Sequence, residues 1–157
     1  MRKSCRTCSG AVEMKTLGLT SAENSPLKIT VTGMPIASCR HNHKQPLDDD
    51  FMLWLIHELK DREGTLPAGN EAGMLMFKKY TCGACGKELA ANPERRQSFP
   101  LELAYEGAPP FRVQLEMPVY KCTGCGKEQM HSHKAVQGIT SRTIALFNDA
   151  AGFPHSG

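Results

Sequence analysis

The sequence predicts a small α+β protein made of two tandem β-hairpin units, each pinned by cysteines at one end and followed by a helix. Three observations point there. Seven cysteines in 157 residues fall into two groups of similar plan: Cys5-x-x-Cys8 returns at Cys39, and Cys82-x-x-Cys85 returns at Cys122-x-x-Cys125. The stretches between them alternate apolar and polar residues, as half-buried strands do. A strongly amphipathic run follows the first group, and a shorter one closes the chain.

The first unit, residues 1–63, opens on Cys5 and Cys8. VEMKTLGL (Val12 to Leu19) and LKITVTGMP (Leu27 to Pro35) then read as strands, and Ser-Ala-Glu-Asn-Ser-Pro between them is turn chemistry. The return segment MPIASCRHNHKQ repeats the Met-Pro, β-branched, x-x-Cys spacing of MPVYKCTGCGKEQ later in the chain, so the two units read as an internal duplication. PLDDDFMLWLIHELKDREG predicts a helix over about 48–63. Leu47, Phe51, Leu55 and Leu59 recur at four-residue spacing, acidic residues occupy the first turn, basic ones the last, and Gly64 follows. Trp54 lies off the main arc and is a candidate for contact with a partner. GTLPAGNEAG makes 64–73 a linker.

The second unit, 74–157, enters through MLMFKKYTC. SFPLELAYEG and FRVQLEMPVYKC form its hairpin around Gly107-Ala108-Pro109-Pro110, HSHKAVQG reads as loop, and TSRTIALFNDAAG predicts a helix over about 141–151 with Thr140 or Ser141 as its cap. No pair of helices joined by a tight turn is visible, which argues against a helix-turn-helix DNA reader.

Units below about 70 residues rarely bury enough apolar surface to fold without a metal, disulfides or a partner. The N-terminus has basic residues but no apolar segment behind them, and no window approaches a membrane span. The expected location is the cytoplasm, where cysteines bind metal or do chemistry more often than they crosslink. Charge is even, nine basic against eight acidic residues in 1–70 and ten against eight in 71–157, with no basic stripe.

Zinc takes four thiolate or imidazole ligands in a tetrahedron, and a Cys-x-x-Cys turn offers two on one side of it. Cys82, Cys85, Cys122 and Cys125 make a complete structural set, with Gly83, Gly86, Gly124 and Gly126 easing the turns. Spacing alone does not separate zinc from iron in a four-thiolate shell. A thioredoxin-like redox pair would open a helix, and neither pair here does. The first unit supplies Cys5, Cys8 and Cys39. Aligning the Met-Pro dipeptides sets Asn42 opposite Cys125, and an amide is a poor zinc ligand, so the fourth ligand is expected from a flanking histidine, His43 in preference to His41. Two zinc ions per chain follow. His131 and His133 come after a completed shell and read as surface residues, and His57 and His155 have no visible partners.

A catalytic zinc keeps a position open for water and has an acid or base nearby. The second set is saturated, the first lacks a suitably spaced glutamate, and no phosphate loop, nucleophile elbow or paired-carboxylate motif is present. The chain is expected not to be an enzyme.

Cys5-x-x-Cys8, ITVTGMPIASCRHNHKQ and the Asp-rich helix together resemble the YgiT-type, MqsA-like zinc finger over most of residues 1–63, and VQLEMPVYKCTGCGKEQ is a looser copy. In that family a V-x-V-x-G-x-P-x-x-x-C-x-x-C-G-E segment holds one zinc ahead of a helix. The resemblance implies zinc and, as in antitoxin members, a module that binds a protein partner, here without the family's DNA-binding half. The alternative is a nucleic-acid-binding zinc ribbon in which Lys78, Lys79, Arg95, Arg96, Arg112 and Lys121 share one face, with Tyr80, Phe99 or Tyr105 as stacking platforms.

Overall fold

The computed structural model describes residues 1–72, 79–93 and 95–154. The chain is α+β, with antiparallel sheets and two substantial helices. The first unit contains β1 (Val12–Thr16), β2 (Thr20–Asn24), β3 (Leu27–Thr32), β4 (Pro35–Cys39), β5 (Lys44–Gln45) and α1 (Asp49–Glu63). The second contains β6 (Asn70–Ala72), β7 (Lys79–Thr81), β8 (Arg95–Leu103), β9 (Phe111–Lys121), β10 (Glu128–Gln129), α2 (His133–Val136) and α3 (Ile139–Ala151).

The central sheet runs β8-β9-β3-β2, and its middle pair joins the two units. β3 meets β9 antiparallel, with Ile29 opposite Leu115 and Thr32 opposite Arg112. Gly33 is one residue more than the second copy has before its Met-Pro, so upstream of it Val113 is the counterpart of Ile29 and Leu115 the counterpart of Val31. Ile29 faces Leu115 and Val31 faces Val113, a reciprocal pairing centred on Thr30 opposite Gln114, which is the signature of a local twofold axis between duplicated strands. The cause is in the side chains: Leu27, Ile29 and Val31 alternate with Phe111, Val113, Leu115 and Met117 on one buried face.

The helices cross over. On α1, Phe51 packs edge-on against Tyr105 of the second unit at 5.1 Å between ring centroids and meets Phe111 at 6.2 Å, while Trp54 lies 5.0 Å from Tyr105. α3 lies on β2 and β3 of the first unit, and Arg142 donates to the Asn24 carbonyl at 3.1 Å. One continuous core results, spanning both units. Trp54 is thus partly used inward, packed on that core.

Several local expectations need correction. The Ser-Ala-Glu-Asn-Ser-Pro stretch is mostly strand, because Thr20–Asn24 has β3 to pair with and only Ser25-Pro26 turns. His133–Val136 is a helical turn capped by the Ser132 hydroxyl, which accepts from the Ala135 N–H at 3.1 Å. Neither Thr140 nor Ser141 caps α3: Gly138 does so without a side chain, at φ 85°. The Glu63 carboxylate at the end of α1 accepts instead from the Thr140 hydroxyl at 3.2 Å, placing negative charge at the positive end of α3. The expected linker includes β6, which pairs with β7. Asp48, expected in the first turn of α1, is instead its cap, accepting from the Asp50 and Phe51 N–H groups while Tyr105 donates to it at 2.8 Å.

Candidate metal centres

Four turns carry the ligand residues, and they are built alike. In each, the backbone folds back after a cysteine so that a later N–H reaches that cysteine's carbonyl: Ser9 to Cys5, Asn42 to Cys39, Gly86 to Cys82 and Gly126 to Cys122, at 2.9–3.1 Å. The donor residue has positive φ in every case, 61° at Ser9, 63° at Asn42, 76° at Gly86 and 77° at Gly126. Left-handed backbone is what glycine and asparagine accept best. Gly83 and Gly124 do not need it.

These turns converge in pairs. β4 runs into the Cys39 turn beside the one bearing Cys5 and Cys8, and β9 carries Cys122 to the turn bearing Cys82 and Cys85. Cys5, Cys8, Cys39 and His43 bring their ligand atoms within 4.8 Å of one another, and so do Cys82, Cys85, Cys122 and Cys125. All eight expected ligands are therefore gathered into two groups of four.

The distances fit a tetrahedral ion. Metal–sulfur bonds of about 2.3 Å and metal–nitrogen bonds of about 2.0 Å require sulfur–sulfur edges of about 3.8 Å and sulfur–nitrogen edges of about 3.6 Å. Cys8 and Cys39 sulfurs lie 3.7 Å apart, and His43 Nδ1 is 3.3 Å from Cys39 Sγ and 3.7 Å from Cys5 Sγ. In the second group Cys82 and Cys125 are 3.7 Å apart and Cys85 and Cys122 are 3.4 Å apart. No disulfide is formed, since all seven cysteines are free and these separations far exceed a bond of about 2.05 Å.

Backbone amides point at the sulfurs. Thr7 N–H donates to Cys5 Sγ, Ala84 N–H to Cys82 Sγ and Gly124 N–H to Cys122 Sγ, each at 3.3 Å. At Cys5, burial raises the thiol pKa, but the Cys8 and Thr7 amides outweigh it and bring it to about 6. The Cys85 amide, the Gln129 side chain and the Ala84 amide bring Cys82 to about 6 as well. Cys125 shows the opposite: the Lys127 amide works to lower it, yet burial and its thiol neighbours push it to about 11. Such a cluster stabilises some thiolates but cannot hold four unless a cation sits among them.

Two residues escaped the sequence reading. Gln45 and Gln129 are buried, and each uses both ends of its amide on the same device. Gln45 Nε2 donates to Cys5 Sγ at 2.9 Å and its Oε1 accepts from Arg6 N–H at 3.0 Å. Gln129 Nε2 donates to Cys82 Sγ at 3.2 Å and its Oε1 accepts from Gly83 N–H at 2.9 Å. The signal was present in the repeat, which ends His-Lys-Gln in one copy and Lys-Glu-Gln in the other.

Other histidines stay outside the clusters. His41 is exposed beside Arg40, and His57 and His133 are exposed on helices, while His155 lies outside the described residues. His131 is half-buried where full exposure was expected: its ring packs 4.2 Å from Tyr80 and 5.1 Å from Tyr120, and burial lowers its pKa.

The expected basic face is divided. Arg95 pairs with Glu128 at 2.5 Å, Arg96 with Glu116 at 3.0 Å and Arg112 with Glu102 at 2.6 Å. Neighbours Arg95 and Arg96 point to opposite sides of β8, as do Arg112 and Lys121 on β9, and Lys78 lies outside the described residues. Phe99 and Tyr105 pack against the core. Among the described residues no helix is long and apolar enough to cross a membrane. Comparison of the chain with protein-family models, with curated proteins and with solved structures finds no match.

Proposed function

We propose that the chain holds two structural zinc ions, one on Cys5, Cys8, Cys39 and His43 and one on Cys82, Cys85, Cys122 and Cys125, and serves as a non-catalytic, protein-binding module of the YgiT-type, antitoxin-like kind. One observation carries the metal reading: two closed groups of four ligand atoms at tetrahedral spacing, with amide donors already directed at the sulfurs. Four ligands from the chain fill a zinc shell and leave no position for an activated water, which supports a structural role over a catalytic one. The shells lock the ends of the hairpins, so the metals serve the fold, and the fold presents a surface.

The protein-partner reading is favoured over nucleic acid because three of the candidate arginines are engaged by carboxylates and phosphate binding needs clustered free cations. Metal analysis tests the first part. Two zinc per chain are expected, falling to one in Cys39→Ser or His43→Ala; one metal throughout retires the first site, and iron in place of zinc corrects the ion. Titration with single- and double-stranded nucleic acid at two salt concentrations tests the second. No binding is expected, and affinity that falls steeply with salt would replace the protein-partner reading.

A further inference from the structure

One cavity among the described residues stands apart from both metal centres and borders the core. Between the end of α1, the segment following it, β8 and the start of α3 lies a cavity of about 240 Å³. Leu59, Leu66, Phe99, Leu101 and Ile139 give it apolar walls. Thr143 also lines it: that residue is 0% exposed, and its hydroxyl has no hydrogen-bond partner in the protein. A buried hydroxyl left unpaired is costly, so the group is waiting for a partner that the chain does not supply. Glu63 stands on the same wall with its carboxylate turned to Thr140.

Volume sets the size of the missing partner. A cavity of about 150 Å³ lined by aliphatic and aromatic side chains holds benzene, which scales to roughly ten non-hydrogen atoms here. A single water takes about 30 Å³, so one water would leave most of this space unfilled. Arg62 and Glu63 put one charge of each sign on the lining, so the site as a whole suits a neutral guest better than a net charge.

We propose that this cavity is a binding site for a small neutral amphiphile: a flat or short apolar body of about ten non-hydrogen atoms carrying one hydroxyl that pairs with Thr143. The apolar walls supply most of the affinity, and Thr143 fixes which end goes in. The site is independent of the zinc reading.

The probe is 2-phenylethanol, compared with ethylbenzene, which lacks the hydroxyl, and with phenylacetate, which replaces it by a carboxylate. Binding to the full chain is followed by NMR shifts of the Leu101, Ile139 and Thr143 methyl groups. The alcohol is expected to saturate these shifts with a Kd on the order of 0.1–1 mM, ethylbenzene about tenfold more weakly, and phenylacetate weaker still. Thr143→Val keeps the shape and should bring the alcohol within about twofold of ethylbenzene. Leu101→Trp fills the space and should abolish both, with unchanged circular dichroism as the check on its fold. Absence of saturable shifts, shifts scattered away from the cavity, phenylacetate binding as tightly as the alcohol, or Thr143→Val binding the alcohol like the parent would each overturn the proposal.

Discussion

The two units apply one plan with different materials. In the second, β8 and β9 pair without interruption from Arg95 to Leu103, and the chain passes straight from the central sheet to Cys122. In the first, the same length of hairpin is divided at 17–19 and 33–34, where Gly33 takes φ 75°, so that β1 and β4 leave the sheet formed by β2 and β3. The ends differ as well. The second closes on four cysteines, the first on three and a histidine. In the Cys122 turn the left-handed residue is Gly126, four places on; in the Cys39 turn it is Asn42, three places on, and His43 comes next. The first turn is thus one residue tighter, and the longer imidazole spans the difference. Asn42 fills the place of a glycine, and the alignment that sets it against Cys125 misassigns it.

This comparison can be broken at several strengths. Metal removal has the largest expected effect, since structural metal in small domains contributes on the order of 10 kcal/mol apparent per site. Chelation should abolish the cooperative thermal transition followed by circular dichroism; a chain that melts unchanged after complete removal would sink the structural-metal reading. Next come the exchanged helices. Phe51→Ala on α1 and Phe147→Ala on α3 should each cost about 3–5 kcal/mol, and because the core is shared, each should shift one common transition. Two separate transitions would mean the halves melt independently.

The glutamines rank third. Gln45→Ala and Gln129→Ala should each weaken metal at their own site by about 10–100-fold and leave the other unchanged, read by competition with a chromogenic chelator. An equal effect on both sites would contradict the local pairing of amide and sulfur. The smallest changes concern the tight turn. Asn42→Gly should alter stability by less than about 1 kcal/mol, while Asn42→Val should cost roughly 1–2 kcal/mol for the left-handed backbone. Sharper still, His43→Cys should retain two metals, whereas adding Asn42→Cys to His43→Ala should not restore the lost one.

Much of the site was legible because metal ligation is written in local spacing. Cysteine pairs three apart and the repeated Met-Pro segment identify the turns, and imidazole chemistry selects His43 over Asn42. Hairpins and α1 show through alternation and four-residue periodicity. What stayed hidden depends on contacts between distant residues. Thr20–Asn24 looks like turn chemistry until β3 pairs with it, and Glu63 looks like the last turn of α1 until Thr140 arrives from the other end of the chain. The pairing of β3 with β9 has no local mark, since both strands alternate as any half-buried strand does. For the arginines assigned to one face, strand parity was legible and separates them, while the glutamates that claim three of them are brought beside them only by the fold.

The near-symmetric pairing of β3 with β9 also has a cost during synthesis. At about 5–20 residues per second, the ribosome needs several seconds between releasing β3 and releasing β9, and throughout that time an apolar strand edge has no mate. The strand best suited to fill it is a near-copy of β3, and a second nascent chain carries one too. Dense expression should therefore yield interlocked dimers in which one molecule's β3 takes the other's β9, and slower or cooler synthesis should favour the monomer.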